Sequence, residues 1–131
     1  MSGHTLELLP WRLAVCRLVP EAPFPAWAEG GPFLVCVRTP NELSVICEPD
    51  RVPDGVQAER DFRALRVAGT LDFALVGVLA ALLTPLAAAG VSVFTLSTFD
   101  TDYVLVKEQA LGTALSALRE AGHHVRTVDH R

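Results

Sequence analysis

The sequence predicts an α+β protein, an antiparallel sheet with two helices on one face, its elements running β-α-β-β-α-β through the C-terminal half. Three observations lead there. Runs rich in β-branched and aromatic residues, "FRALRVAG" (62–69), "VSVFTLST" (91–98), "DYVLVK" (102–107) and "HHVRTVD" (123–129), read as strands. Between them, Leu and Ala recur at helical spacing in two longer runs. Gly90 and Gly122 stand where those helical patterns end. This order is the split βαβ, or ferredoxin-like, pattern.

The strand at 62–69 ends in Gly69, and Thr70 or Asp72 is placed to cap the helix predicted over 73–89. That helix belongs to "FALVGVLAALLTPLAAAGVSVF" (73–94), which carries no charge and is long enough to cross a bilayer. The membrane reading fails on three counts. Pro85 and then Gly90 form a helix stop. After Gly90 the residues alternate as in a strand. The flanking charges, Asp72 and Asp100, are acidic on both sides and give no positive-inside signal. The better parse is a buried helix and then a strand over 91–98. Leu75, Leu79, Leu82 or Leu83, and Leu86 line one side of this helix; Ala74, Gly77, Val78, Ala81 and Ala88 line the other. A helix apolar on both sides calls for two covers, the second from the other half of the chain or from a partner subunit. A hairpin turn separates 91–98 from 102–107. The second helix, "EQALGTALSALREAG" (108–122), sets Leu111, Leu115 and Leu118 on one face.

The N-terminal half is less regular. "WRLAVCRLV" (11–19), "FLVCVR" (33–38) and "LSVICE" (43–48) read as strands. The prolines of "PEAPFPAWAEGG" (20–31) leave room for barely one helical turn. Displaced by sixty residues, the halves match: Gly30 falls on Gly90, Leu34 on Phe94, Cys36 on Leu96, Glu42 on Asp102, Val45 on Leu105 and Glu48 on Glu108. The chain therefore reads as a tandem duplication, with a degenerate first unit over 1–60 and a complete second unit over 61–131.

Composition bounds the function. The chain has 131 residues, half of them hydrophobic and 20% charged, with a formal net charge of −4. No basic run suggests nucleic acid as a partner. The N-terminus, "MSGHTLELLPW", lacks a positively charged start and a long apolar core, so the expected location is the cytoplasm. Cys16, Cys36 and Cys47 have no metal-like spacing and read as buried free thiols. His123 and His124 come directly after a helix end and point to opposite faces of a strand, so they do not chelate one metal together. His4 and His130 fall in termini expected to fray. There is no nucleophile elbow, phosphate loop or Cys-x-x-Cys, so neither catalytic residues nor a cofactor or metal are expected.

"VSVFTLSTFDTDYVLVKEQAL" together with "LDFALVGVLAALLTPLAAAG" resembles the ACT-domain family. The likeness extends to small bacterial tandem-ACT proteins and to the cytosolic arginine sensors of animals, the CASTOR proteins. It covers residues 62–121 well and 11–52 loosely. It implies a regulatory module that binds a small ligand, usually an amino acid, at an interface between ACT units, with no enzymatic activity. In the resembled sensors the threonine, phenylalanine and aspartate of the hairpin lie at the ligand, and they carry over to Thr98, Phe99 and Asp102. A glutamate of the sensors, just inside the first helix, is replaced here by Leu75; Asp72 stands where their loop has glycine. The likeness thus implies an amino acid but not arginine. The sensors carry four ACT units and this chain two, so a homodimer is expected.

The chemistry of such a ligand suits these residues. A free amino acid offers a carboxylate, which suits unpaired amides at a turn or helix start, and an ammonium, which wants a carboxylate. Gly69, Thr70, Leu71 and Asp72, between strand and helix, offer the first; Asp102, at the mouth of the hairpin, offers the second; Leu75 would meet an apolar side chain. Each has a plainer role. Asp102 serves the amides of its own turn, Asp72 caps the helix, Thr98 is an ordinary strand-end hydroxyl, and Phe99 is core. The alternative function is an assembly module that has lost its ligand and docks on a partner protein.

Overall fold

The computed structural model describes residues 3–69 and 76–128. Seven strands form: β1 (Thr5–Leu18), β2 (Val35–Arg38), β3 (Leu43–Cys47), β4 (Gln57–Val67), β5 (Phe94–Ser97), β6 (Asp102–Lys107) and β7 (His124–Thr127). The α-helices are α1 (Val78–Ala88) and α2 (Leu111–Glu120), and short 3-10 turns lie at Ala26–Ala28, Pro49–Arg51 and Glu108–Ala110. The chain divides into two compact units. One comprises Met1–Pro10 with Arg63–Arg131, the other Trp11–Phe62. The sequence predicts one boundary, after residue 60. The observed division has two, because β1 leaves its first residues in the C-terminal unit before passing to the other.

The C-terminal unit has the predicted ferredoxin-like composition with one addition. Its strand order is β7-β1-β4-β6-β5. The start of β1 lies between the first and last strands of the β-α-β-β-α-β series, pairing with β7 in parallel from Thr5↔His124 to Leu8↔Thr127. The signal for this strand is in the sequence. "TLELL" alternates, burying Leu6 and Leu8 and turning Glu7 to the other face. There Glu7 binds Arg66 and Arg126, each at 2.8 Å, so residues 4–8 are fastened rather than frayed. The Arg126 hydrogen bond, aided by Arg66, holds the Glu7 carboxyl below its ordinary value.

One sheet face carries the helices. Leu6, Leu8, Leu65, Val67, Val104 and Val106 pack against Val78, Leu82 and Leu86 of α1 and Ala114 and Leu118 of α2. Burying each large aliphatic side chain stabilises by about 1.5–3 kcal/mol. Both helices stop alike. The amide of Val91 reaches the Leu86 carbonyl and that of His123 reaches Leu118, around Gly90 (φ 76°) and Gly122 (φ 97°), a left-handed conformation that glycine adopts without strain.

The first helix is shorter than predicted. It begins at Val78, and its N-cap position falls on Gly77, left-handed at φ 82°, where the sequence expectation was Thr70 or Asp72. Val76 and Gly77 precede the helix; the remainder of the predicted first turn lies outside the described residues. The expected second face is not one surface: Val78 joins Leu82 and Leu86 in the core and Ala81 is half-buried, while among the described residues of the helix Ala80, Thr84, Ala87 and Ala88 are exposed. Among the described residues no helix is long and apolar enough to cross a membrane.

Pro85 lies inside α1 and has no N–H for the carbonyl one turn earlier, that of Ala81. His123 fills the vacancy. Its Nε2 lies 3.0 Å from the Ala81 carbonyl, while its Nδ1 accepts the His4 amide at 3.0 Å. Both ring nitrogens are thus engaged. The ring is 6% exposed and stacks on His4. His124, beside it, faces solvent.

The other unit contains no α-helix among the described residues. β2, β3 and the later part of β1 form an antiparallel sheet with register Cys16↔Val45 and Cys36↔Val45. Its core is Ala14, Cys16, Ala28, Leu43, Val45, Cys47 and Val52. Cys16 and Cys47 are buried free thiols, as expected, whereas Cys36 is exposed because β2 is the edge strand. Burial pushes the Cys47 thiol up to about 11, with Cys16 adding to the shift.

Candidate functional site

The hairpin between β5 and β6 closes on the pair Ser97↔Asp102, leaving a four-residue turn, Thr98–Thr101. The turn is built from its own hydroxyl and amides. The Thr98 amide donates to the Thr101 carbonyl at 2.8 Å, the Thr98 hydroxyl donates to the same oxygen at 3.2 Å, and the Thr101 amide donates to the Thr98 hydroxyl at 3.3 Å. Thr98 is therefore engaged inside the turn.

Asp102 does not serve the turn amides. Its Oδ1 accepts the Ser97 hydroxyl at 2.6 Å across the strand pair, and among the described residues Oδ2 has no hydrogen-bond partner. The carboxylate is half-buried at the mouth of the hairpin. Phe99, at the tip, is 78% exposed and so is not core.

Thr101 was not singled out from the sequence, yet it fixes the position of the turn. It is only 3% exposed, and its hydroxyl donates to the Val67 carbonyl, at the end of β4, at 2.6 Å. The bond brings the hairpin turn against the strand end that leads into Gly69. A hydroxyl at the last turn position, between two acids, was the available signal; it gave no hint of direction. Gly69 itself is left-handed at φ 84°, and an added Cβ would meet nothing within 4 Å. Thr98, Phe99, Asp102 and Gly69 thus belong to two segments joined by the Thr101–Val67 bond. Thr70, Leu71, Asp72 and Leu75 lie outside the described residues. Among the described residues no group of three or more His, Cys, Asp or Glu side chains is placed to hold a metal ion.

The other unit holds a copy of this turn. Thr39–Glu42 joins β2 to β3, closing on Arg38↔Leu43. The Thr39 amide donates to the Glu42 carbonyl at 2.9 Å, its hydroxyl lies 3.5 Å from that oxygen, and the Glu42 amide donates to the Thr39 hydroxyl at 3.3 Å. The hairpins therefore correspond at a displacement of 59 residues (97 − 38 and 102 − 43), not the sixty the sequence suggests. Glu42 matches Thr101, and the counterpart of Asp102 is Leu43. Residue-type matching favoured acid on acid; strand register decides otherwise.

Comparison with known proteins agrees with this architecture. A family model describing an ACT domain matches residues 57–120. The chain contains an ACT domain over residues 57–120. A second family model, for an N-terminal domain, matches residues 12–55. A crystallised protein from Agrobacterium tumefaciens is 31% identical over 100% of this chain and 98% of its own, with a TM-score of 0.93, and the two belong to one family. A Vibrio cholerae protein of unknown function, described as a possible transport protein, is 21% identical over 91% of this chain and 90% of its own, with a TM-score of 0.73. The regulatory subunit of aspartate kinase from Thermus thermophilus shares the fold at 15% identity over 86% of this chain and 93% of its own, with a TM-score of 0.61. No curated protein sequence matches the chain.

Proposed function

We propose that this ACT-domain protein is a cytoplasmic, non-enzymatic regulatory module that binds a free amino acid as a homodimer. The ligand's ammonium would meet Asp102, its carboxylate the amides from Gly69 through Asp72, and its side chain Phe99 and Leu75. The observation that carries the reading is the buried Thr101–Val67 bond, which holds the Asp102 hairpin against the strand end leading into Gly69. Arginine is not the expected occupant, because Leu75 stands where the resembled arginine sensors have a glutamate. Degeneracy of the first unit, which lacks an α-helix among the described residues, fits a chain that needs a second copy to assemble four ACT-like units.

A thermal-shift screen with the standard amino acids, each at millimolar concentration, tests this. A ligand at one hundred times its dissociation constant adds about 2.7 kcal/mol. Asp102→Ala is expected to abolish the shift; a shift that survives it removes Asp102 from the site. A second reading, a ligand-free assembly module, is favoured by the exposure of Phe99 and of Val76, which is 91% exposed. Absence of any shift, with a dimer persisting in light scattering, selects that reading.

A further inference from the structure

The start of β1 is fastened to the C-terminal unit at several points, and one of them touches the candidate site. The Ala68 amide donates to the Thr5 carbonyl at 2.9 Å, and the Val67 carbonyl accepts the Thr101 hydroxyl at 2.6 Å. These two groups belong to the same peptide unit, Val67–Ala68. That unit is planar and stiff, so a displacement of its N–H is a displacement of its C=O. Hydrogen bonds at its two ends also polarise one another. The N-terminal strand and the hairpin turn are thereby joined through one rigid group.

The strand's attachment to β7 lies on the opposite side. The His124 amide donates to the His4 carbonyl at 2.9 Å, the His4 amide donates to His123 Nδ1 at 3.0 Å, and the Val128 amide donates to the Leu8 carbonyl at 3.1 Å. Gly3 fits so closely that an added Cβ would lie 2.0 Å from the Gly122 carbonyl oxygen. His123 in turn reaches α1 through the Ala81 carbonyl. The segment from Gly3 to Leu8 is thus a strap running within the sheet between β7 and β4, seated by a glycine contact and a histidine.

We propose that this strap is the regulatory element of the proposed amino-acid site: docking of residues 3–8 and ordering of the Thr98–Thr101 turn reinforce each other through the Val67–Ala68 peptide, so that occupancy of the site tightens the strap and its release loosens the site. The inference rests on the amino-acid reading for its ligand, but the coupling itself is a property of the free chain. Two variants disturb the seating of the strap while substituting no residue of the hydrophobic cluster and none of the turn. Gly3→Ala places a methyl group against Gly122, and His4→Pro deletes the amide that His123 accepts.

Amide hydrogen exchange on the full-length chain reads the result. In either variant the amides of Ala68, Thr98 and Thr101 are expected to exchange about tenfold faster, with those of β3 unchanged. A strap that loosens while Thr98 and Thr101 keep their protection overturns the proposal. So does a uniform rise that includes β3, and so does a strap that neither variant loosens. A second arm adds the standard amino acids singly to the wild-type chain. Slower exchange at both the turn and residues 5–8 supports the coupling. Protection at the turn alone refutes it while the binding reading stands. If no amino acid protects any amide, yet the variants loosen the turn, the coupling stands and the amino-acid reading falls.

Discussion

The contact between His123 and α1 sets up a sharp test of how the fold tolerates Pro85. His123→Leu removes two hydrogen bonds and keeps a side chain of similar size. It orphans the Ala81 carbonyl and the His4 amide. A buried backbone group without a partner costs about 1–3 kcal/mol. His4 is half-buried beside the exposed Gly3, so water can take over at its amide and its share belongs at the low end. The added apolar surface of leucine returns about 1 kcal/mol. The net expectation is a loss of about 2 kcal/mol, read as a lower urea midpoint at unchanged slope.

The same logic predicts which change can rescue the loss. Pro85→Ala restores an N–H one turn beyond Ala81, so the carbonyl no longer depends on the imidazole. In that background His123→Leu should cost about 1 kcal/mol less, a coupling well above the few tenths typical of independent sites. His123→Asn, which keeps an acceptor near the Nδ1 position but is too short for Ala81, should recover only the His4 share. If His123→Leu costs the same with proline or alanine at position 85, the imidazole is not serving the orphaned carbonyl.

Titration and exposure give two further outcomes. The folded-state value of Glu7 is depressed, chiefly by Arg126, so its contribution to stability is complete above the ordinary value of 4.5 and is lost as the pH falls through the lower folded value. Urea midpoints taken from neutral pH downward should therefore show a shallower acid decline in Glu7→Gln than in the wild type; parallel curves would remove Glu7 from the linkage. In native protein a thiol reagent should modify Cys36 rapidly and Cys16 and Cys47 only after denaturation, since the last two are buried and burial pushes their thiols up. Rapid modification of either buried thiol would contradict the packing of that sheet.

Most of the C-terminal unit was legible because its signals are local. β6 has the bounds that "DYVLVK" predicts, and both helices end at the glycines that mark them. What escaped was non-local. The strand pattern in "TLELL" is plain, but nothing in those residues says that they lie between β7 and β4. The early part of the predicted first helix was assigned on hydrophobicity, which does not report a left-handed Gly77 at its N-cap. At the candidate site the acid in the hairpin could be read from its type and place. Thr101 could not, because a threonine in a turn has the same sequence whether its hydroxyl faces water or the Val67 carbonyl.

The repeated turn bears on how many ligands one chain can hold. Both turns have a threonine whose hydroxyl accepts the amide at the turn's last position, so they share one shape. They differ in how the turn is tied down and in the residue that opens the next strand. Thr98–Thr101 is anchored by a short, buried hydroxyl, which confines it closely. Thr39–Glu42 is tied by the long, exposed Arg17, whose guanidinium donates to the Asn41 carbonyl at 3.2 Å and competes with water for that bond. The strand opens with Asp102 in one copy and with Leu43, fully buried, in the other. Glu42 does not substitute, since its carboxylate accepts the Ser44 hydroxyl at 3.1 Å from a turn position rather than a strand position. Without a carboxylate at the strand mouth there is nothing to meet an ammonium, however well the turn is formed. Calorimetric titration with whichever amino acid stabilises the protein should then give one ligand per chain. Two equivalent sites per chain would mean that the turn, and not the acid beside it, makes the site.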